Sequence, residues 1–121
     1  MSIPRDEGGF DKRDLAVSRL FTLVSSLSQP ELAGLEDILG GGLGVSFQHR
    51  RDRGSWKITL PKAPTEGEEK QVKRLLYQVY INLHMAKSIL EALGYEADIK
   101  VSSRKGILVI WRLGETGSNK A

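Results

Sequence analysis

Lys73, Tyr77, Tyr80, His84 and Lys87 recur at spacings of four, three, four and three residues, so in a helix they share one face. Cations at the ends with flat rings between them suit one chemistry: an ammonium meets a phosphate, and an aromatic face accepts a stacked base. Lys70, Arg74, Gln78 and Asn82 run beside that stripe. Two further basic clusters occupy turn-like stretches, "HRRDRG" (49–54) and "SSRKG" (102–106). Trp56 opens a strand just after the first, and Trp111 sits beside Arg112 near a strand end. Strand parity places both tryptophans in the core, yet either position also suits the mouth of a groove between a sheet edge and a helix. The tyrosines carry the same two readings: bases could stack on them, or they could pack against other helices with their hydroxyls outward.

Other chemistries find less support. The glycine run "LGGGLG" (39–44) suggests a phosphate loop, but such loops lead from a strand into a helix, and this run leads from a helix into a strand without a following Gly-Lys-Ser/Thr. A helix stop and turn is the better reading. His49 and His84, the two histidines, fall on different elements, and no carboxylate shares a metal-like spacing with either. His49 follows the inward parity of its strand, which makes it an edge-of-core residue. The acids of "EGEE" (66–69) complement a helix dipole in its first turn. Nothing in the pattern points to an enzyme, a cofactor, a metal or a small-molecule substrate.

The elements that must carry these residues follow from composition and period. A chain of 121 residues with 40% hydrophobic and 27% charged residues is expected to form one domain with its own core. The absence of cysteine excludes disulfides, zinc–thiolate sites and thiol catalysis. Apolar runs are too short to span a bilayer, and "MSIPRDEGGF" lacks the apolar stretch of a secretory signal, which leads to the expectation of a cytoplasmic protein. The net charge of +3 hides an asymmetry: residues 1–42 carry 4 Lys/Arg and 7 Asp/Glu, whereas residues 43–121 carry 14 and 8. The basic portion contains all the expected strands and favours an anionic partner.

Residues 1–10 and 114–121 read as loose tails around a domain over 11–113. A first helix is expected from Asp11 as N-cap, with Asp14 in its first turn and Val17, Leu20, Phe21, Val24 and Leu27 on its apolar face. Ser28 and Glu31 have the spacing of a capping box for a second helix through Leu32, Leu35 and Ile38. Thr65 and Glu68 form another, opening a helix to about Leu93 that Gly94 closes. Val72, Leu75, Leu76, Val79, Leu83, Ala86, Leu90 and Leu93 give this helix its buried stripe; Ile81 and Met85 lie outside it and call for a second contact, with the first helix or a dimer partner.

Two hairpins bracket the long helix, 43–50 with 55–61 across "RDRG" and 95–102 with 107–113 across "SRKG", each offering a glycine for a positive φ. The expected fold is α+β: a four-stranded antiparallel sheet of two β-hairpins, a long helix and an N-terminal helical pair, in the order α-α-β-β-α-β-β. Leu43, Val45, Phe47, Trp56, Ile58, Leu60, Ala97, Ile99, Val101, Ile107, Val109 and Trp111 share the apolar sheet face, and Leu108 and Ile110 break the alternation on the other.

This layout, with "HRRDRGSWK" (49–57), "KQVKRLLYQVY" (70–80) and "RKGILVIWR" (104–112), resembles the ThermoDBP-type single-stranded DNA-binding proteins of thermophilic archaea. The resemblance spans about residues 11–113 and implies a strand held in a basic, aromatic-lined cleft. Residues 31–54 and 94–113, with the long helix between them, are also similar to Roadblock/LC7 interaction modules, which expect a fifth strand and a last helix that this sequence does not supply.

The leading expectation is a non-enzymatic protein that binds single-stranded DNA or RNA with little sequence preference. Arg50, Arg51, Arg53, Lys57, Lys70, Lys73, Arg74, Lys100, Arg104, Lys105 and Arg112 are its candidate phosphate contacts, and Trp56, Tyr77 and Trp111 its candidate stacking residues. The rival is a protein-interaction module, a homodimer or adaptor that uses the long helix or an exposed strand edge.

Overall fold

The computed structural model describes residues 12–114, so the expected Asp11 cap and both tails, Gly114 apart, lie outside the described residues. The element order is α1 (Lys12–Leu27), α2 (Gln29–Leu39), β1 (Gly44–His49), β2 (Arg53–Thr59), α3 (Glu66–Ala92), β3 (Tyr95–Ser102) and β4 (Gly106–Leu113). The fold is α+β, with the order α-α-β-β-α-β-β and one antiparallel four-stranded sheet. The two hairpins join through their second strands, giving the order β1-β2-β4-β3, so β1 and β3 are the edges. Phe47, Trp56, Val109 and Ile99 form one cross-strand row beneath the helices. Ser46, Lys57, Leu108 and Lys100 form a row on the open face.

The core closes between that inner face and α3. Val72, Leu76, Val79, Leu83, Ala86 and Leu90 are buried, following the 3.6-residue period, with Leu75 and Leu93 half-buried beside them. On α1, Val17, Leu20, Phe21 and Val24 are buried, whereas Leu27 is exposed. The inner face is not covered evenly. Val45 and Phe47, expected in the core, are 53% and 40% exposed, because β1 lies at the rim of the sheet, where the helices cover it least.

Local chemistry explains where the helices begin and end. Thr65 and Glu68 form the expected capping box, the Thr65 N–H donating to Glu68 Oε1 at 2.9 Å. Gly40, at φ 71°, ends α2 in the left-handed conformation and donates its N–H to the Glu36 carbonyl. The capping box expected at Ser28 does not form. The backbone continues nearly helical through the α1–α2 junction, with Ser28 N–H on the Val24 carbonyl and Leu32 N–H on the Ser28 carbonyl. The fully buried Ser28 hydroxyl instead accepts from Asn82 Nδ2 at 3.0 Å and ties the junction to α3.

The two hairpin glycines serve different needs. Gly106 has φ 132°, the positive value expected of a turn glycine. Gly54 has no positive φ and sits inside β2, one step earlier in the hairpin than expected. It is glycine because Trp111 and the β1 backbone both close on it: a Cβ there would lie 2.5 Å from the indole ring and 2.6 Å from the Gln48 carbonyl oxygen. Gly54→Ala should therefore cost about 1–3 kcal/mol in urea unfolding. Gly67→Ala, an exposed helical position with nothing within 4 Å of the new methyl, should raise stability by about 0.5–1 kcal/mol.

The cap hydrogen bond from Thr65 holds the Glu68 carboxyl below its usual range. A carboxyl lowered in the folded state stabilises it fully above the ordinary glutamate range and loses that contribution as pH falls through the lowered value. The melting-temperature advantage of wild type over Glu68→Gln should accordingly be present at neutral pH and vanish on acidification.

Candidate functional site

Both tryptophans are committed to the interior. Trp56 is 1% and Trp111 2% exposed, so the expectation that they stack on bases is corrected. Phe21 of α1 lies flat on Trp111, with centroids 4.8 Å apart at 12°, and also meets Trp56 and Phe47 at 5.8 Å each. The inward parity of both strands wins over their proximity to basic turns, because α1 supplies a ring that fills the space above them.

Behind this cluster lies a polar chain that sequence reading missed. Trp111 Nε1 donates to His49 Nδ1 at 3.2 Å, and His49 Nε2 meets Asp14 Oδ1 at 2.8 Å. An indole N–H can only donate, so Nδ1 is the acceptor and the ring proton sits on Nε2, pointing at the carboxylate. Both ring nitrogens are engaged, leaving none to take a proton from a substrate, and the pair is structural in its chemistry. A signal was present: Asp14 falls three residues before Val17 on the apolar phase of α1, and His49 on the inward phase of β1, so two polar side chains shared one interior. Tyr95 is buried alongside, its hydroxyl donating to the Arg51 carbonyl at 3.2 Å, with the Arg13 guanidinium 5.7 Å over its ring.

The most exposed aromatic ring among the described residues is on α3. Tyr77 is 59% exposed, its centroid 5.9 Å from that of Tyr80, which in turn meets the exposed His84 edge-on at 4.6 Å. These tyrosines form one wall of a groove of about 500 Å³ between α3 and the edge strand β3, lined also by Lys73, Leu76, Ile99, Val101 and Ser103. Glu69 anchors its end, with Lys73 Nζ at 3.7 Å and the Ser103 hydroxyl at 3.4 Å. The adjacent turn is held by Ser102, whose Oγ accepts from the Arg104 and Lys105 backbone N–H groups at 3.2 Å each. Arg104 and Lys105 are exposed in the turn directly after Ser103, and Lys70 lies seven residues before Tyr77 on the same helix face.

The other candidates are elsewhere. Lys57 and Lys100 flank Leu108 on the open face. Arg50, Arg53 and Arg112 border a second depression of about 660 Å³ on that face, with Gln48, Ser55, Glu96, Asp98 and Ile110. Arg53 stands directly opposite Arg112, and Arg112 pairs with Glu96 at 3.8 Å. Three two-residue steps separate this row from Ser102 and Gly106, so the arginine cluster lies roughly 20 Å from the groove's basic turn. Arg51 is exposed in the same hairpin loop. Arg74 and Gln78 turn away from the groove on the outer side of α3, and Asn82 is occupied by Ser28.

Among the described residues no group of three or more His, Asp or Glu could hold a metal ion, and no helix is long and apolar enough to cross a membrane. No family model, curated protein or solved structure matches this chain. The His49 chain makes a sharp stability prediction. His49→Phe keeps the ring contacts but removes the acceptor of Trp111 and a donor to Asp14, and should cost about 2–4 kcal/mol in chemical unfolding.

Proposed function

We propose that this protein binds single-stranded nucleic acid, without catalysis, in the groove between α3 and β3. The observation that carries this reading is Tyr77, a large ring 59% exposed beside Tyr80, in a groove lined by Lys73 and by Ser103, the residue from which the exposed Arg104 and Lys105 follow. Bases enter against the tyrosine faces and the apolar floor of Ile99 and Val101, while phosphates meet the cations at the rim. Every base has a π-face, so sequence preference is slight. The open sheet face presents Leu108 and Ile110 where stacking platforms carry rings, and its arginines share their depression with Glu96 and Asp98. It is the weaker candidate for bases.

The test is fluorescence anisotropy with labelled single-stranded and duplex oligonucleotides at several salt concentrations. Tyr77→Ala should weaken single-strand binding about 5- to 150-fold, the equivalent of ~1–3 kcal/mol. Arg104→Ala with Lys105→Ala should flatten the log–log salt slope by roughly 0.7 for each phosphate that is no longer neutralised. Arg53→Ala with Arg112→Ala should leave both nearly unchanged. Wild-type affinity in Tyr77→Ala, or no binding at low salt, rejects the reading.

The second reading, a homodimeric interaction module, draws on Ile81, Met85 and Ile89, which leave an apolar stripe on α3 uncovered. It predicts self-association indifferent to Lys73→Ala with Arg74→Ala.

A further inference from the structure

The two edges of the sheet are built differently. β3 carries Glu96, Asp98 and Lys100 on its open face, the charges by which edge strands resist pairing. β1 reads Gly44-Val45-Ser46-Phe47-Gln48-His49, with no Asp, Glu, Lys or Arg. The hairpin closes on Arg50 and Arg53, whose backbones exchange hydrogen bonds at 2.7 and 3.3 Å. Antiparallel alternation then turns the backbone N–H and C=O of Gln48, Ser46 and Gly44 toward β2, and those of Val45, Phe47 and His49 outward. The outward-bonding residues include the two inner-face side chains that α1 leaves exposed, Val45 and Phe47.

We infer that β1 is the seam of a symmetric dimer, in which β1 of a second copy of this chain pairs antiparallel about Phe47 and continues the sheet. A two-fold axis at Phe47 sets Phe47 against its own copy and Val45 against His49 of the other chain. Each of these is a hydrogen-bonded pair, and together they form about six backbone bonds. The same axis sets Leu43 opposite Arg51. Leu43 N–H donates to Glu36 Oε2 at 3.2 Å, which brings the Glu36 carboxylate to the free edge where Arg51 of the second copy arrives. Symmetry repeats this opposite-charge meeting at the other end. A second copy is therefore the fitting occupant: it alone brings an arginine to Glu36 at both ends in register with an uncharged strand. The apolar stripe of α3 is exposed too, but a helix uses its backbone N–H and C=O groups internally and has no free edge to add to such a contact.

Sedimentation velocity without nucleic acid tests the dimer independently of the groove. The protein should sediment at twice its 13.4 kDa mass at high concentration and dissociate on dilution. Val45→Pro removes an outward N–H that the single chain does not use, so the fold stands while the dissociation constant rises roughly tenfold or more. Across the seam Ser46 faces Gln48 as a non-hydrogen-bonded pair, with Cα atoms about 4.5 Å apart, within disulfide range. Because the chain has no cysteine, a mixture of Ser46→Cys and Gln48→Cys proteins should cross-link on mild oxidation, far more than either alone. Cross-linking stands even where Val45→Pro fails to fold. A single-chain mass at every concentration overturns the inference. So does a dimer without the mixed disulfide, which would place the contact on α3.

Discussion

Phe21 is the ring on which this architecture closes. It is 3% exposed, stacked on Trp111 and within 6 Å of Trp56 and Phe47, and so it binds α1 to three of the four strands at once. Large aromatic surfaces dominate the energetics of a small core, and face-to-face offset contacts add to their burial. The indole of Trp111, together with the Gln48 carbonyl, also demands Gly54 on the neighbouring strand, so the aromatic cluster bears on a glycine as well as on a helix position. Asp14 and His49 then follow from satisfaction. The indole N–H of a buried tryptophan needs an acceptor, His49 supplies it, and the histidine proton needs the carboxylate that α1 brings down with Phe21.

This closure divides labour among the aromatics. With the tryptophans and two phenylalanines drawn to the α1 side, what α3 buries against the sheet is aliphatic: Val72, Leu76, Val79, Leu83, Ala86 and Leu90. Aliphatic packing leaves the flank of α3 free to present Tyr77 and Tyr80 without cost to the core. The helix, on the order of 40 Å long, also outruns the strand beneath it, about 27 Å for eight residues. The helix therefore has length to spare for the cap at Thr65 and the basic residues Lys70 and Lys73.

What sequence can and cannot disclose follows from the range of the interactions. Helix ends set by neighbours, such as the Thr65–Glu68 box and Gly94, are legible, as are strand parity and the α+β order. Ser28 misleads because its spacing to Glu31 is local whereas its partner Asn82 is 54 residues away. The exposure of Val45 and Phe47 is hidden for a topological reason: parity gives the face of a strand but not its place in the sheet, and only pairing of β2 with β4 makes β1 an edge. In the candidate site, the Lys73/Tyr77/Tyr80 line is readable from helical spacing. Its other wall, Ile99, Val101 and Ser103, depends on α3 lying over β3. The arginines of the first hairpin look continuous with this patch only because a sequence carries no distances.

The cations of the groove are also held with different firmness. Lys73 is already paired with Glu69, but at 3.7 Å and with its side chain mostly in water, an arrangement worth little, about 0.2–1 kcal/mol. A phosphate could replace Glu69 at Lys73 with small loss. Glu69 also holds the Ser103 hydroxyl, so the carboxylate keeps a partner when the lysine leaves. Arg104 and Lys105 need no such exchange, since no carboxylate among the described residues lies within ion-pair distance of either, and their backbone is fixed by Ser102. An anion drawn to that fixed turn would meet Lys73 second, and the tyrosines lie directly beyond it. Within the groove itself the exchangeable cation, Lys73, therefore stands one helical turn from the exposed ring of Tyr77, with the Ser103 turn held to the same carboxylate.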